Sequence, residues 1–234
     1  FPDNRILSHD LIEGCYARSG LLSDVQLYED YPARYSADVS RRYRWIRGDW
    51  QLVSWLRRKV PDATQASCSG KGRPCQANPL SVLSQWKLLD NLRRSLTPGG
   101  LMLLLLFGWL LLPAAGLWTL SVIGVMLVTS LSAAILDLFR KPQDVLLRQH
   151  LQAVVRVALR HMQQVAFELA CLPFEAAYSL GAATRTLWRV LVSRRRLLEW
   201  NPSSEVERLL ATRDRSSLAA SYRSMWQAPG SALV

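Results

Sequence analysis

The rhythm of apolar and polar positions changes several times along this chain, and each change marks a boundary. Between residues 37 and 59, Val39, Tyr43, Ile46, Trp50, Val53 and Leu56 recur at steps of three and four, so one face of a helix is apolar. Asp38 or Ser36 can cap that helix, and Arg41, Arg44 and Arg58 lie off its apolar stripe. Upstream, Leu11, Ile12, Tyr16 and Ala17 predict a shorter helix, capped by Ser8 or Asp10 and ended by Gly20. Asp24 to Tyr28 alternates weakly and reads as a short strand or a loop, and Tyr31-Pro32 marks a turn. Residues 60–79 have the composition of a linker, with Pro61, Pro74, Pro79, Gly70 and Gly72. Helical spacing resumes over 80–94 with Leu83, Trp86, Leu89 and Leu92, accompanied by Lys87, Arg93 and Arg94. This suits a helix lying on a membrane face with Trp86 at headgroup depth. It suits equally an amphipathic helix packed on a soluble domain.

The next segment decides the broad class. No Lys, Arg, Asp or Glu occurs from Ser95 to Leu136, a run of 42 residues. As helix it would extend about 63 Å, roughly twice the hydrocarbon core of a bilayer. Pro113 and Gly116 break it near the middle, which predicts two spanning helices near 99–114 and 117–136. A buried hairpin of a soluble protein is the competing reading, but Leu103 to Phe107 and Trp109 to Leu112 are too uniformly apolar for it. A hairpin returns both ends to one side, and Lys87, Arg93, Arg94, Arg140, Lys141 and Arg148 make that side cytoplasmic. After it, 142–170 is amphipathic and rich in charge. Val165 to Val192 is moderately apolar but carries Glu168, Glu175, Arg185 and Arg189. It reads as a further span, an interfacial helix, or a helical pair broken at Pro173, and the charges weigh against a simple lipid-facing span. The tail from about 201 is polar.

Composition adds a strong charge imbalance: 29 Lys and Arg against 18 Asp and Glu, a formal +11. Such basicity points to anionic partners. The clusters flank apolar segments and form no single stripe, which argues against nucleic acid. Cys15, Cys68, Cys75 and Cys171 lack zinc-finger spacing; Cys68 and Cys75 could pair if oxidised, and a cytoplasmic location favours free thiols. The chain opens on Phe1-Pro2-Asp3, with no initiator Met and no signal peptide, and is expected to be part of a larger protein.

Candidate chemistry lies in the first 51 residues. Asp10 can serve as a general base for a hydroxyl, although alone it reads more readily as a helix cap; Glu13, Glu29 and Asp30 compete with it. Arg41 and Arg44 stand one helical turn apart, where paired guanidinium groups can hold phosphate oxygens or simply form a solvated basic face. Trp45 offers an indole that suits a sugar face and suits core packing equally.

The combination is more specific than its parts. Residues 8–14 (Ser8 to Gly14), Arg18, Ser23-Asp24-Val25, Glu29-Asp30, Pro32 and the run Arg41 to Gln51 resemble the cyclic beta-1,2-glucan synthases, inverting membrane glycosyltransferases of bacteria related to cellulose synthases. Asn78 to Ser81, Trp86 to Leu96 and Arg195 to Trp200 extend the likeness. The resemblance implies a UDP-glucose donor, a growing glucan acceptor and membrane lipid around the helices. It implies a divalent cation (Mg or Mn), and a phosphorylase-like domain in the same protein. It assigns Asp10 as general base, Arg41 and Arg44 to the donor diphosphate, and Trp45 to the floor of the acceptor site. Asp10 stands in Ser-His-Asp where cellulose synthases write Thr-Glu-Asp. No Asp-x-Asp metal motif occurs in the chain, so the cation ligands and the uridine site are expected outside it, and the chain alone is expected to be inactive.

The expected fold is therefore the C-terminal part of an α/β type-A glycosyltransferase, mostly helical here, followed by transmembrane helices. The expected boundaries are an acceptor-side end at 1–60, a polar loop at 61–79, an interfacial helix at 80–98, a membrane hairpin at 99–136, further helices at 137–200 and a linker tail at 201–234. The expected location is a bacterial inner membrane with the catalytic side cytoplasmic. A cellulose-like beta-glucan synthase and a non-catalytic, basic membrane-anchored scaffold are the alternative functions.

Overall fold

A computed structural model describes residues 6–7, 10–16, 20, 22–28, 31, 35–61, 75–199, 205 and 225. Helix dominates: α1 (Asp10–Tyr16), α2 (Tyr35–Gln51), α3 (Val82–Leu110), α4 (Ala115–Phe139) and α5 (Leu147–Trp188). Among the described residues the strands are two short ones, β1 (Lys59–Pro61) and β2 (Cys75–Ala77), paired antiparallel with Val60 opposite Gln76. The parallel sheet of an α/β domain is not among the described residues. The chain divides into two units, Phe1–Leu96 with Tyr178–Ser224, and Thr97–Ala177 with Met225–Val234.

The first unit has a small core of Ile12, Leu52, Trp55, Val60, Leu80 and Leu88. α1 contributes Ile12, the turn after α2 contributes Leu52 and Trp55, β1 contributes Val60, and Leu80 and Leu88 come from just before α3 and from its second turn. α2 starts at Tyr35 and gives way at Leu52 to a 3-10 turn over Leu52–Leu56, so the single helix expected over 37–59 is shorter. The Asn78 side chain marks where that turn ends, donating to the carbonyls of Trp55 at 2.6 Å and Arg57 at 2.8 Å. These are carbonyls that the end of a helix leaves without partners. Asn78 Oδ1 also accepts from Leu80 N. The span read as linker is thus tied at both ends, by β1–β2 and by Asn78. Residues 22–28 form no strand; Leu22, Val25, Leu27 and Tyr28 are exposed, and no strand among the described residues pairs with them.

Ser81 caps α3, its hydroxyl accepting from Ser84 N at 3.1 Å. The helix then runs unbroken through Pro98 to Leu110. No helix break therefore marks the expected boundary at residue 98, although the two units divide close to it, between Leu96 and Thr97. Proline removes one backbone donor, but the flanking turns continue the helix. The second unit packs Leu105 of α3, Val122 and Met126 of α4, and Val165 and Leu172 of α5 together. The predicted break falls at residues 111–114, with Ala114 in the left-handed region (φ 60°). Trp109 Nε1 donates to Thr119 Oγ1 at 2.9 Å and Trp118 Nε1 to the Pro113 carbonyl at 3.2 Å. α5 passes through Pro173 without a break and ends in a π-helical turn, Arg189–Ser193.

By length and composition, Leu147–Ser193 is apolar enough to cross a membrane, with a third of its best window buried; Ala115–Val128 and Ser130–Phe139, bent by 44°, qualify as a pair. α4 carries no charge before Asp137. The uncharged part of α3, 95–110, is about 24 Å long, short of a hydrocarbon core.

Candidate functional site

The Arg-x-x-Arg-Trp run lies in the middle of α2, and the helix spreads its residues over three faces. On the first, Asp38 sits in the opening turn and does not cap it. Its carboxylate pairs with Arg41 three residues on and Arg42 four residues on, both at 2.9 Å. The Arg41 guanidinium lies over the rings of Tyr31, at 4.4 Å, and Trp45, at 4.8 Å. The Tyr31 hydroxyl donates to Asp38 as well, at 3.1 Å. Arg42 lies within cation–π range of Tyr35 and Tyr178. Arg41 is thus locked by a carboxylate and two rings, while Trp45 (41% exposed) and Tyr31 (71%) keep surface towards solvent. Arg41 Nε is closed off from solvent without an acceptor among the described residues.

The second face is structural, and the apolar stripe did not foretell it: the deepest side chains of α2 include Arg47 and Gln51. Arg47 donates to the carbonyls of Glu199 and Leu197, and Gln51 Nε2 to the Leu197 carbonyl at 2.9 Å. Gln51 Oε1 accepts from Leu7 N at 2.6 Å. Arg189 joins from the far side, donating to the Arg196 carbonyl and to the Glu199 carboxylate. Burial, and next the like charge of Arg189, pull the Arg47 pKa below its usual value.

The third face meets α3. Trp50 Nε1 donates to Ser95 Oγ at 3.0 Å, and Asn91 Nδ2 donates to Asp49 Oδ1 at 3.1 Å. Burial raises the Asp49 pKa, with the Asn91 hydrogen bond and the Arg94 charge opposing it. Asp90, partly exposed, is held below the ordinary aspartate range, chiefly by its hydrogen bond from Arg93.

Asp10 is the first residue of α1 and is exposed. Among the described residues no hydrogen bond or ion pair joins it to Arg41, Arg44 or Trp45. Its segment is nevertheless tied to α2, because Leu7, three residues before it, is held by Gln51. Arg44 lies partly buried on the same helix, one turn after Arg41. Reading the sequence alone missed Tyr31, Arg42 and Tyr178 as partners of the cluster and Asp38 as its counter-charge. The Asp-x-x-Arg-Arg spacing at 38–42 was the available signal. Ser8, His9, Arg18, Glu29, Asp30, Pro32, Cys68 and Trp200 lie outside the described residues, as does most of the tail after 200. Among the described residues Cys15 and Cys171 form no disulfide.

The geometry offers a fixed guanidinium cluster beside half-exposed aromatic faces, a combination suited to an anion next to a carbohydrate. Comparison with known proteins gives this a context. The chain is 35% identical over 99% of its length to cyclic beta-(1,2)-glucan synthase NdvB of Rhizobium meliloti. The likeness to the cyclic beta-1,2-glucan synthases is shown. The chain spans 8% of that protein's length. No family model matches the chain. No solved structure matches it. The largely helical fold agrees with the helical part of the expectation; a type-A glycosyltransferase fold is not shown. As for the divalent cation, among the described residues no three His, Cys, Asp or Glu side chains gather where they could hold one. The described residues therefore do not fit the metal.

Proposed function

We propose that this chain supplies the acceptor side and the adjoining membrane helices of a processive, inverting glucosyltransferase that builds beta-1,2-glucan from UDP-glucose. The observation that carries this reading is the Asp38–Arg41–Trp45 stack on α2, with Tyr31 closing it, in a chain similar to a glucan synthase along its length. In the proposed step, the Asp10 carboxylate takes the proton of a glucan 2-hydroxyl. The freed oxygen forms a bond to C1 of the donor glucose. The bond from C1 to the diphosphate oxygen breaks, UDP leaves, and the configuration at C1 inverts. Arg41 and Arg44 hold the diphosphate as negative charge gathers on it. Trp45 supports the acceptor sugar. Among the described residues no three cation ligands gather, and the proposed step runs through the carboxylate, the arginines and the indole. The protein would sit in a bacterial inner membrane, with this site on the cytoplasmic side. The exposed Val82, Leu83, Trp86 and Leu89 of α3, with Lys87 beside them, support a helix at the membrane face.

The test is Asp10→Asn in the full-length protein. Transfer should fall about a hundredfold or more, while UDP-glucose binding stays unchanged. Retained polymerisation would remove Asp10 from the base role. Silence of both Asp10→Asn and Trp45→Ala would turn the reading to a non-catalytic, membrane-anchored scaffold.

A further inference from the structure

The first half of α5 has two apolar faces, and the core of its unit uses one. Val165 and Leu172 point into the second core, and His150 is buried in line with them. A second line, Leu147, Leu151, Val155 and Leu159, advances by four residues at a time, with Met162 inside the same sector; all five are between 40 and 60% exposed. Leu147, Leu151, Val155 and Leu159, with Arg148, Gln152 and Arg156, line an open groove of about 760 Å³ along the helix. The remaining sector is polar: Gln149, Gln152, Arg156, Arg160 and Gln163 are exposed. Across residues 140–167, Arg140, Lys141, Arg148, Arg156 and Arg160 face a single acid, Asp144.

We propose that residues Leu147–Met162 of α5 bind the surface of an anionic phospholipid membrane. The inference rests on the membrane reading of the preceding section and adds to it a lipid class and a face. Three observations select this occupant. The stripe follows α4 after the short connection 140–146; α4 carries no charge before Asp137 and leaves Leu117, Leu120, Val125 and Val128 exposed, so lipid is already the medium its neighbour suits. Arg148 and Arg156 border the stripe, where they can reach headgroup phosphates while their stems lie on the apolar surface, and Arg160 adds charge on the polar sector. Acids, which an anionic surface would repel, are absent between Asp144 and Glu168. Glu168 and Glu175 stand in the stretch of α5 apolar enough to span, so lying along the surface costs less than crossing.

The test places a photoreactive benzoylphenylalanine at Val155, or at Gln149 on the polar sector, in the whole chain reconstituted into nanodiscs. The discs contain either phosphatidylcholine alone or a mixture with phosphatidylglycerol. The expected result is a phospholipid adduct from position 155 and none from 149, with a yield several-fold higher in the anionic discs. R148Q/R156Q/R160Q should remove that excess while the helical circular dichroism stays unchanged. Equal yields in both discs would overturn the anionic preference. Lipid adducts from both positions would mean an immersed helix and overturn the surface placement. An adduct to a second copy of the chain would overturn lipid as the occupant and leave the membrane reading standing. Failure to enter nanodiscs would overturn both.

Discussion

At the scale of single residues, neighbouring positions of one helix divide between binding and structure. Arg41 is held at the surface by Asp38, Tyr31 and Trp45, whereas Arg47, less than two turns on, is buried against backbone carbonyls. Arg41→Ala should therefore weaken donor binding with little change in stability. Arg47→Met should lower stability by about 1–3 kcal/mol, since it removes the hydrogen bonds of a buried guanidinium to the Leu197 and Glu199 carbonyls; thermal unfolding of the purified chain in detergent separates the two cases. Asp49 adds a pH dependence. Its folded pKa lies above the unfolded value, so the fold favours the protonated carboxyl. That contribution is present below the ordinary aspartate range and is lost as pH rises through the raised value. Asp49→Asn cannot lose a proton there, so its melting temperature relative to the parent should climb across that window. A constant difference between the two melting curves from pH 4 to 8 would count against it. The sequence pattern could not distinguish Arg41 from Arg47, because periodicity marks a face as apolar or polar and says nothing of which carbonyls another segment brings to it.

At the scale of elements, two joints set the arrangement. Asn78 marks where the helical run after α2 ends, its amide donating to the Trp55 and Arg57 carbonyls. Asn78→Ala should cost about 1–3 kcal/mol and loosen the β1–β2 pairing, measurable as faster amide exchange at Val60. Where α3 meets α4, Gly108 lies directly against Trp118: a Cβ there would stand 2.5 Å from Trp118 Cβ and 2.9 Å from Cγ. Those atoms are close to the α4 backbone and cannot swing away. Gly108→Ala should destabilise the hairpin by about 1–3 kcal/mol, seen as an earlier thermal transition in detergent. The hairpin itself was legible, because a long uncharged run broken by Pro113 and Gly116 has few other solutions. The continuity of α3 through Pro98 and of α5 through Pro173 was not, since proline costs a helix one hydrogen bond and packing on either side can outweigh it.

At the scale of the whole molecule, the charge pattern and the apolar run act together. A chain with 42 consecutive uncharged residues and a formal +11 should stay with membranes through a high-salt, alkaline wash and leave them only in detergent. Release by salt alone would assign its attachment to the arginines. The linear sequence by itself determined the helical character, the uncharged hairpin, the Arg-x-x-Arg-Trp helix and the likeness to glucan synthases, because each is a local spacing or an unbroken run. The tertiary structure alone decided which arginine of α2 is locked beside aromatic rings and which clamps residues 197–199. It also decided that Gln51 ties the Asp10 segment to that helix, and that one face of α5 is left bare. Those outcomes join residues far apart in the chain, from Arg47 to Glu199 and from Leu7 to Gln51. Hydrogen bonds over such separations form only when packing has brought the segments together, and no periodicity records them.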